Sequence, residues 1–219
     1  MTRPLIIVGA SGHLRDLTFI LESRPSEWDV AGVLDDNPDL HGKLCAGAVV
    51  LGDVRTWPSY ADHWMLVAIG SPRVRRRVVL SMSGKNSPRF ARAVHASAAI
   101  SNSSVIGNGA MVGPHATISA EVHIGDHVII NAGATIAHEV RIGSFVTIAP
   151  QAALSGNVVV EDGVEIGTGA LVRQGVRLGK GAMVGMGAVV LSDVPANSCV
   201  VGNPARLLRK LPEFGVFND

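Results

Sequence analysis

Between residues 115 and 139 the chain concentrates side chains that can do chemistry: His115, His123, Asp126, His127, Asn131, His138 and Glu139. A neutral imidazole titrates near physiological pH and can take a proton from an attacking amine or hydroxyl. His138 is the strongest candidate, because it follows Ile136-Ala137 just past an expected corner, projects outward and precedes Glu139. Glu139 or Asp126 could orient the ring. Adjacent residues on a strand point oppositely, so spacing leaves the partner open, and a solvated corner histidine stands as the plain alternative. The remaining histidines, His13, His41, His63 and His95, precede this region. The cluster lacks a metal-ligand spacing, so no metal is expected.

The elements that must position His138 announce themselves by a period of six. From Ile100 through Ile106, Val112 and onward to Val190, every sixth residue is aliphatic without a miss. Four residues after each comes a small or β-branched residue, such as Ala110, Ala116, Val122 and Val128. Six matches neither a helix nor a two-sided strand; it is the repeat of a parallel β-helix of hexapeptides. Each hexapeptide forms one face of a three-sided prism, with both residue series pointing inward, and sixteen of them make roughly five coils at strand spacing. Gly or Asn beside the aliphatic residue is expected to permit the tight turn. Such an interior is filled by its own side chains, so a site must lie outside.

The first 92 residues read differently. Leu5-Ile6-Ile7-Val8 is a strand apolar on both faces, followed by Gly9-Ala10-Ser11-Gly12-His13 and a helical pattern at Leu14, Leu17, Ile20 and Leu21. Strand, glycine-rich turn and helix N-terminus make a place for an anion, though a βα turn that binds nothing fits the spacing equally well. The full dinucleotide fingerprint is absent. A second strand, 30–34, ends in Asp35-Asp36, where such folds hydrogen-bond a nucleoside. Met65 to Ile69 reads as another buried strand, and Arg73 to Leu80 as a helix whose arginines form a solvated face. Alternation of strand and helix predicts a small parallel, Rossmann-like α/β domain over residues 1–92 and the β-helix with its tail over 93–219, joined by a linker at Lys85 to Arg92.

Over 219 residues the net charge is only +1, so neither nucleic acid nor an anionic membrane is an expected partner. Two cysteines make no disulfide framework or metal pattern. No signal-peptide core and no apolar run of membrane-spanning length occurs, so a cytoplasmic protein is expected.

Three stretches together, Gly9-Ala10-Ser11-Gly12-His13, Asn131 to Glu139 and Gly202-Asn203-Pro204-Ala205-Arg206, carry a resemblance across nearly the whole chain. The chain resembles the sugar O-/N-acyltransferases of the sialic acid O-acetyltransferase type, which include acetyl-CoA-dependent N-acetyltransferases of nucleotide-linked 4-amino sugars such as bacillosamine and perosamine precursors. The resemblance implies a left-handed β-helix, a homotrimer with sites between subunits, and His138 as general base with Glu139 and Asn131 nearby. It implies that the Gly156 amide holds the acyl oxyanion. It implies that Gly9, Ser11, Gly12, His13, Asp35 and Asp36 hold the nucleotide-linked amino sugar. Coenzyme A would contact Ile166, Gly167, Gly169, Val184, Gly185, Gly187, Gly202 and Pro204. One departure is visible: many relatives carry a second histidine nine residues after the base, beside the acetyl group, where this chain has Thr147. Sugar O-acetylation, or a non-catalytic β-helix that binds sugar nucleotides or scaffolds an assembly, are the alternatives.

Overall fold

The computed structural model describes residues 2–84 and 87–216. In the N-terminal part, β1 (Arg3–Val8), α1 (Gly12–Glu22), β2 (Trp28–Leu34), β3 (Leu44–Cys45), β4 (Ala48–Gly52), β5 (Trp64–Val67), α2 (Pro72–Ser81) and β6 (Arg89–Phe90) follow in order. The sheet order is β3-β4-β2-β1-β5-β6, parallel except for the β3–β4 hairpin. β1 lies at its centre, which is why Leu5 to Val8 are apolar on both faces and fully buried. Two short 3₁₀ helices, Pro38–Leu40 and Val54–Tyr60, flank the β3–β4 hairpin between β2 and β5. The expected linker is part strand: Arg89–Phe90 pairs with β5, while residues 85–86 lie outside the described residues.

From Ala93 the chain winds into three sheets of two-residue parallel strands, each pairing with the strand eighteen residues on: Met111–Val112 with Ile129–Ile130, Thr117–Ile118 with Thr135–Ile136, His123–Ile124 with Arg141–Ile142. We call the sheets starting at Ala93, Ala99 and Val105 the first, second and third faces. The aliphatic series and its small companions form one continuous core. At the far end Ser198–Val201 and Arg206–Lys210 extend the first face as an antiparallel pair.

The corner geometry corrects the expected role of glycine. The left-handed residue is the third after each aliphatic: Gly109, His115, Glu121, His127, Gly133, Glu139, Phe145, Gln151, Asn157 and Gly163 all have φ between 55° and 71°. The glycines directly after the aliphatic serve close approach instead. A Cβ on Gly107, Gly125 or Gly167 would fall 2.5–2.8 Å from backbone of the next coil.

α2 also departs from expectation. Arg75 is not solvated; it is fully buried where α2 meets the first face. Its guanidinium donates to the carbonyls of Ile69, Gly70, His127, Phe145 and Val146 and to Thr147 Oγ1, at 2.7–3.1 Å. Burial pushes its pKa down to about 9, with Glu165 opposing, so it remains charged at neutral pH. Met111 and Ile129 of the first face complete the apolar core of the N-terminal sheet. Arg73 ties α2 to the C-terminal tail through the Pro212 and Glu213 carbonyls.

His127 is likewise inside this seam rather than on the surface, stacked on Phe145 at 5.2 Å and edge-on to Phe90 at 4.4 Å. Burial first, then Arg75, lowers its pKa to about 4 against the pull of Asp126. The folded protein therefore keeps His127 neutral where the unfolded chain, titrating near 6.5, takes a proton. Its contribution is complete above pH 6.5 and is lost as pH falls toward 4. Chemical denaturation at pH 7 and pH 4.5 should show a stability loss that His127→Phe reduces by about 2 kcal/mol.

Candidate active site

His138 stands at the corner between the second and third faces, with about half of its side chain exposed. Nδ1 lies 2.9 Å from Oε2 of Glu139. Sequence spacing could not choose this partner, because neighbours on a strand diverge. Glu139, however, is the left-handed corner residue, with φ of 61°, and the turn brings its carboxylate round to the imidazole. The hydrogen bond from His138, then one from Asn157, holds the Glu139 carboxyl below the usual carboxylate range. A carboxylate on Nδ1 leaves Nε2 as the basic nitrogen, on the side of the ring next to Gly156.

Gly156 lies one coil above His138. A Cβ there would sit 2.5 Å from Cε1 and 2.7 Å from Nε2 of His138, so the imidazole occupies the space that this glycine leaves. At the opposite corner the outward N–H groups of Asn108, Asp126 and Ser144 are each taken by Asp126, Ser144 and Asp162 of the next coil. The Gly156 N–H, at the equivalent place in its hexapeptide, has no acceptor among the described residues. A basic nitrogen and an unspent backbone donor thus share one small surface, the parts needed to remove a proton and to hold an oxyanion.

Asn131 is not in this group. It sits at the corner between the first and second faces, donating through Nδ2 to the Ile148 carbonyl at 2.8 Å. There it lines a cleft of about 270 Å³ against α1, with Asp16, Phe19, Ile20, Pro114 and Pro150. Gly169 and Gly187, with φ of 67° and 64°, lie further along the same corner and open to solvent, whereas Gly167 and Gly185 are crowded by the neighbouring coil and by Val201. The Ile166 and Val184 side chains point into the prism and are fully buried, so only their backbones could meet a cofactor. Gly202 and Pro204 form the turn of the terminal hairpin, with φ of 97° at Gly202.

In the N-terminal part the Gly9 loop meets Asp35. Gly9, with φ of 102°, has its N–H on the Leu34 carbonyl, and the Ala10 N–H donates to Asp35 Oδ2 at 2.7 Å. Asp35 Oδ1 takes the Asn37 N–H and Asp36 takes the Val54 N–H, so both carboxylates shape the loops at the carboxyl end of the sheet. Ser11 caps α1 without a side-chain bond, and Gly12 faces open space. His13 pairs with Asp16 at 3.3 Å, and burial lowers its pKa while Asp16 raises it. Thr147 falls elsewhere than an open acetyl site: its hydroxyl donates to Gly70 and accepts from Arg75 within the seam.

A small α/β sheet with a glycine-rich βα loop, followed by a hexapeptide prism carrying an exposed His–Glu pair, defines a hexapeptide-repeat acyltransferase. The profile described as PglD N-terminal domain matches residues 4–82, and that of the bacterial transferase hexapeptide (six repeats) matches residues 103–138 and 121–156. The acetyltransferase domain of PglB from Neisseria gonorrhoeae, solved in complex with acetyl coenzyme A, is 30% identical, with 95% of this chain and 100% of that one covered and a TM-score of 0.85. PerB from Caulobacter crescentus, solved with CoA and GDP-perosamine, is 31% identical over 93% and 96% of the two chains, also with a TM-score of 0.85. A histidine-to-asparagine mutant of the perosamine N-acetyltransferase from the same organism is 29% identical over 94% and 97%, with a TM-score of 0.86. A comparison with curated proteins gives no match. The chain belongs to the PglD-type hexapeptide-repeat acetyltransferase family and is an acetyltransferase. No helix among the described residues is long and apolar enough to cross a membrane.

Gly156→Ala tests the contact between glycine and imidazole. The backbone at 156 accepts alanine, so thermal stability should hold, while the displaced His138 should cost about 100-fold or more in turnover.

Proposed function

We propose that the enzyme transfers the acetyl group of acetyl-CoA to the amino group of a nucleotide-linked amino sugar of the 4-amino-4,6-dideoxy type. The observation that carries this reading is His138, paired through Nδ1 with Glu139 and standing on Gly156 with its free N–H. PerB, whose structure holds CoA and GDP-perosamine, and the PglB domain, whose structure holds acetyl coenzyme A, support the acceptor and donor classes.

His138 Nε2 takes a proton as the amine attacks the thioester carbonyl. The C–N bond forms, the carbonyl oxygen becomes an oxyanion held by the Gly156 N–H, and collapse breaks the C–S bond. The CoA thiolate leaves and the proton on His138 returns to it. The sugar nucleotide is placed by Gly9, Ser11, Gly12, His13, Asp35 and Asp36, with its diphosphate on the N-terminus of α1. Coenzyme A lies along the corner that carries Asn131, Gly169 and Gly187, and reaches the Gly202–Pro204 turn.

Within one chain the second face lies between the Asn131 corner and the His138 corner, which supports a site shared between subunits. The outward residues of that face, Ala99, Thr117, Thr135, Ala153, Leu171 and Val189, carry no charge, whereas the third face presents His123, Arg141 and Arg177 beside Val105 and Val159, which supports contact through the second face. We therefore include a homotrimer, with the base of one subunit meeting the acceptor and donor grooves of the next.

CoA-thiol release from acetyl-CoA, measured with UDP-, GDP- and dTDP-linked 4-amino sugars, tests the reading. One acceptor should turn over, and His138→Ala should lower kcat by about 10²–10⁴-fold. Binding of the sugar nucleotides without thiol release would contradict it, and a product acetylated on oxygen would replace the amine by a hydroxyl acceptor.

A further inference from the structure

One coil beyond the His138-Glu139 pair the chain reads Gly156-Asn157, stacked residue over residue. Gly156 makes room for the imidazole. Asn157 grips the pair twice: its backbone N–H donates to the His138 carbonyl at 3.0 Å, and its side-chain Nδ2 donates to Oε2 of Glu139 at 3.3 Å. The same carboxylate oxygen meets His138 Nδ1 at 2.9 Å. Asn157 is itself a left-handed corner residue, with φ of 59°, a conformation that asparagine adopts more readily than most side chains.

We propose that Asn157 is a positioning residue for acyl transfer, holding the Glu139 carboxylate against His138 Nδ1 so that Nε2 stays unprotonated and aimed outward. The proposal rests on the reading of His138 as the base. Glu139 is half exposed, and a carboxylate on an open corner can rotate away or trade its partner for water. A second donor, fixed to the coil above, removes that freedom and fixes the tautomer of the ring. An amide suits the task because it donates without a charge of its own. A cation at 157 would compete with the imidazole for Glu139, and an acid would repel the carboxylate. Along this column of corners the other acids are Glu121, one coil below Glu139, and Asp193, two coils above Asn157 with its Oδ1 on the Arg177 N–H, while Gly175 between them is uncharged.

Two variants separate positioning from folding. Asn157→Gly keeps the left-handed turn at no steric cost and deletes the amide. Asn157→Asp keeps the shape and adds a charge. Each is read by kcat and KM, by the pH dependence of kcat, by thermal melting, and by the tautomer of His138 from its ¹⁵N shifts in the unliganded protein. For Asn157→Gly we expect kcat to fall about tenfold with KM for both substrates and the melting temperature unchanged, and the Nε2–H tautomer of His138 to gain population. For Asn157→Asp the acid limb of kcat should move to higher pH, because the second carboxylate favours the imidazolium. An unchanged tautomer in Asn157→Gly overturns the proposal, whether kcat is kept or is lost together with stability. Should the wild-type protein acetylate no amino sugar, the reading of function fails, while the tautomer still decides the role of Asn157.

Discussion

The constraint on which everything else depends is the eighteen-residue coil. Interior aliphatics at every sixth position fix how much chain is spent per face, and parallel pairing then places residue i under residue i+18. No single contact enforces this; the buried series does, since a slip of one residue would turn an apolar set outward. The proposed site uses this stacking directly. It sets His138 under Gly156, Glu139 under Asn157, and Thr147 beside Glu165. A His–Glu pair on a flexible loop would need its own restraints, whereas here the neighbouring coil supplies them.

The second organising contact is the seam between the domains. Arg75 is a buried cation with no carboxylate hydrogen-bonded to it among the described residues, satisfied by five carbonyls and a hydroxyl. Its donors reach both the Gly70 loop, at the carboxyl end of the N-terminal sheet, and the His127 and Phe145 corners of the prism. Thr147 joins this network, accepting from Arg75 and donating to the Gly70 carbonyl. The loops at the carboxyl end of the N-terminal sheet and the prism are held in one arrangement by a group that a basic helix pattern presents as a surface charge.

The fold was legible because its signal is periodic and redundant: sixteen hexapeptides agree, and Leu5 to Val8 can only be a strand covered on both sides. His138 was legible as an outward corner residue, but its link to Glu139 was not. Strand alternation argues against it, and only the left-handed φ at 139 brings the two together. The sequence pattern puts Arg75 on a solvated face and His127 in a polar cluster, yet both are buried, since burial by another domain leaves no mark in a local pattern. Asn131 shares a motif with His138 yet occupies another corner, because seven residues along the chain amount to one whole face of the prism. The role of glycine beside each aliphatic was also hidden, as it comes from the coil above rather than from the turn itself.

The central claim is that a base on one chain serves the substrate grooves of another, and mixing two inactive variants tests it most directly. His138→Ala lacks the base. Gly12→Glu, at an open position on the N-terminus of α1, sets a negative charge where the diphosphate would sit. Each variant alone should be inactive in acetyl transfer. Co-assembled in equal amounts, they should recover about one quarter of wild-type activity, since one site in four then pairs an intact His138 with an intact loop from a different chain. A mixture as inactive as its parents would place both halves in the same chain and contradict the account.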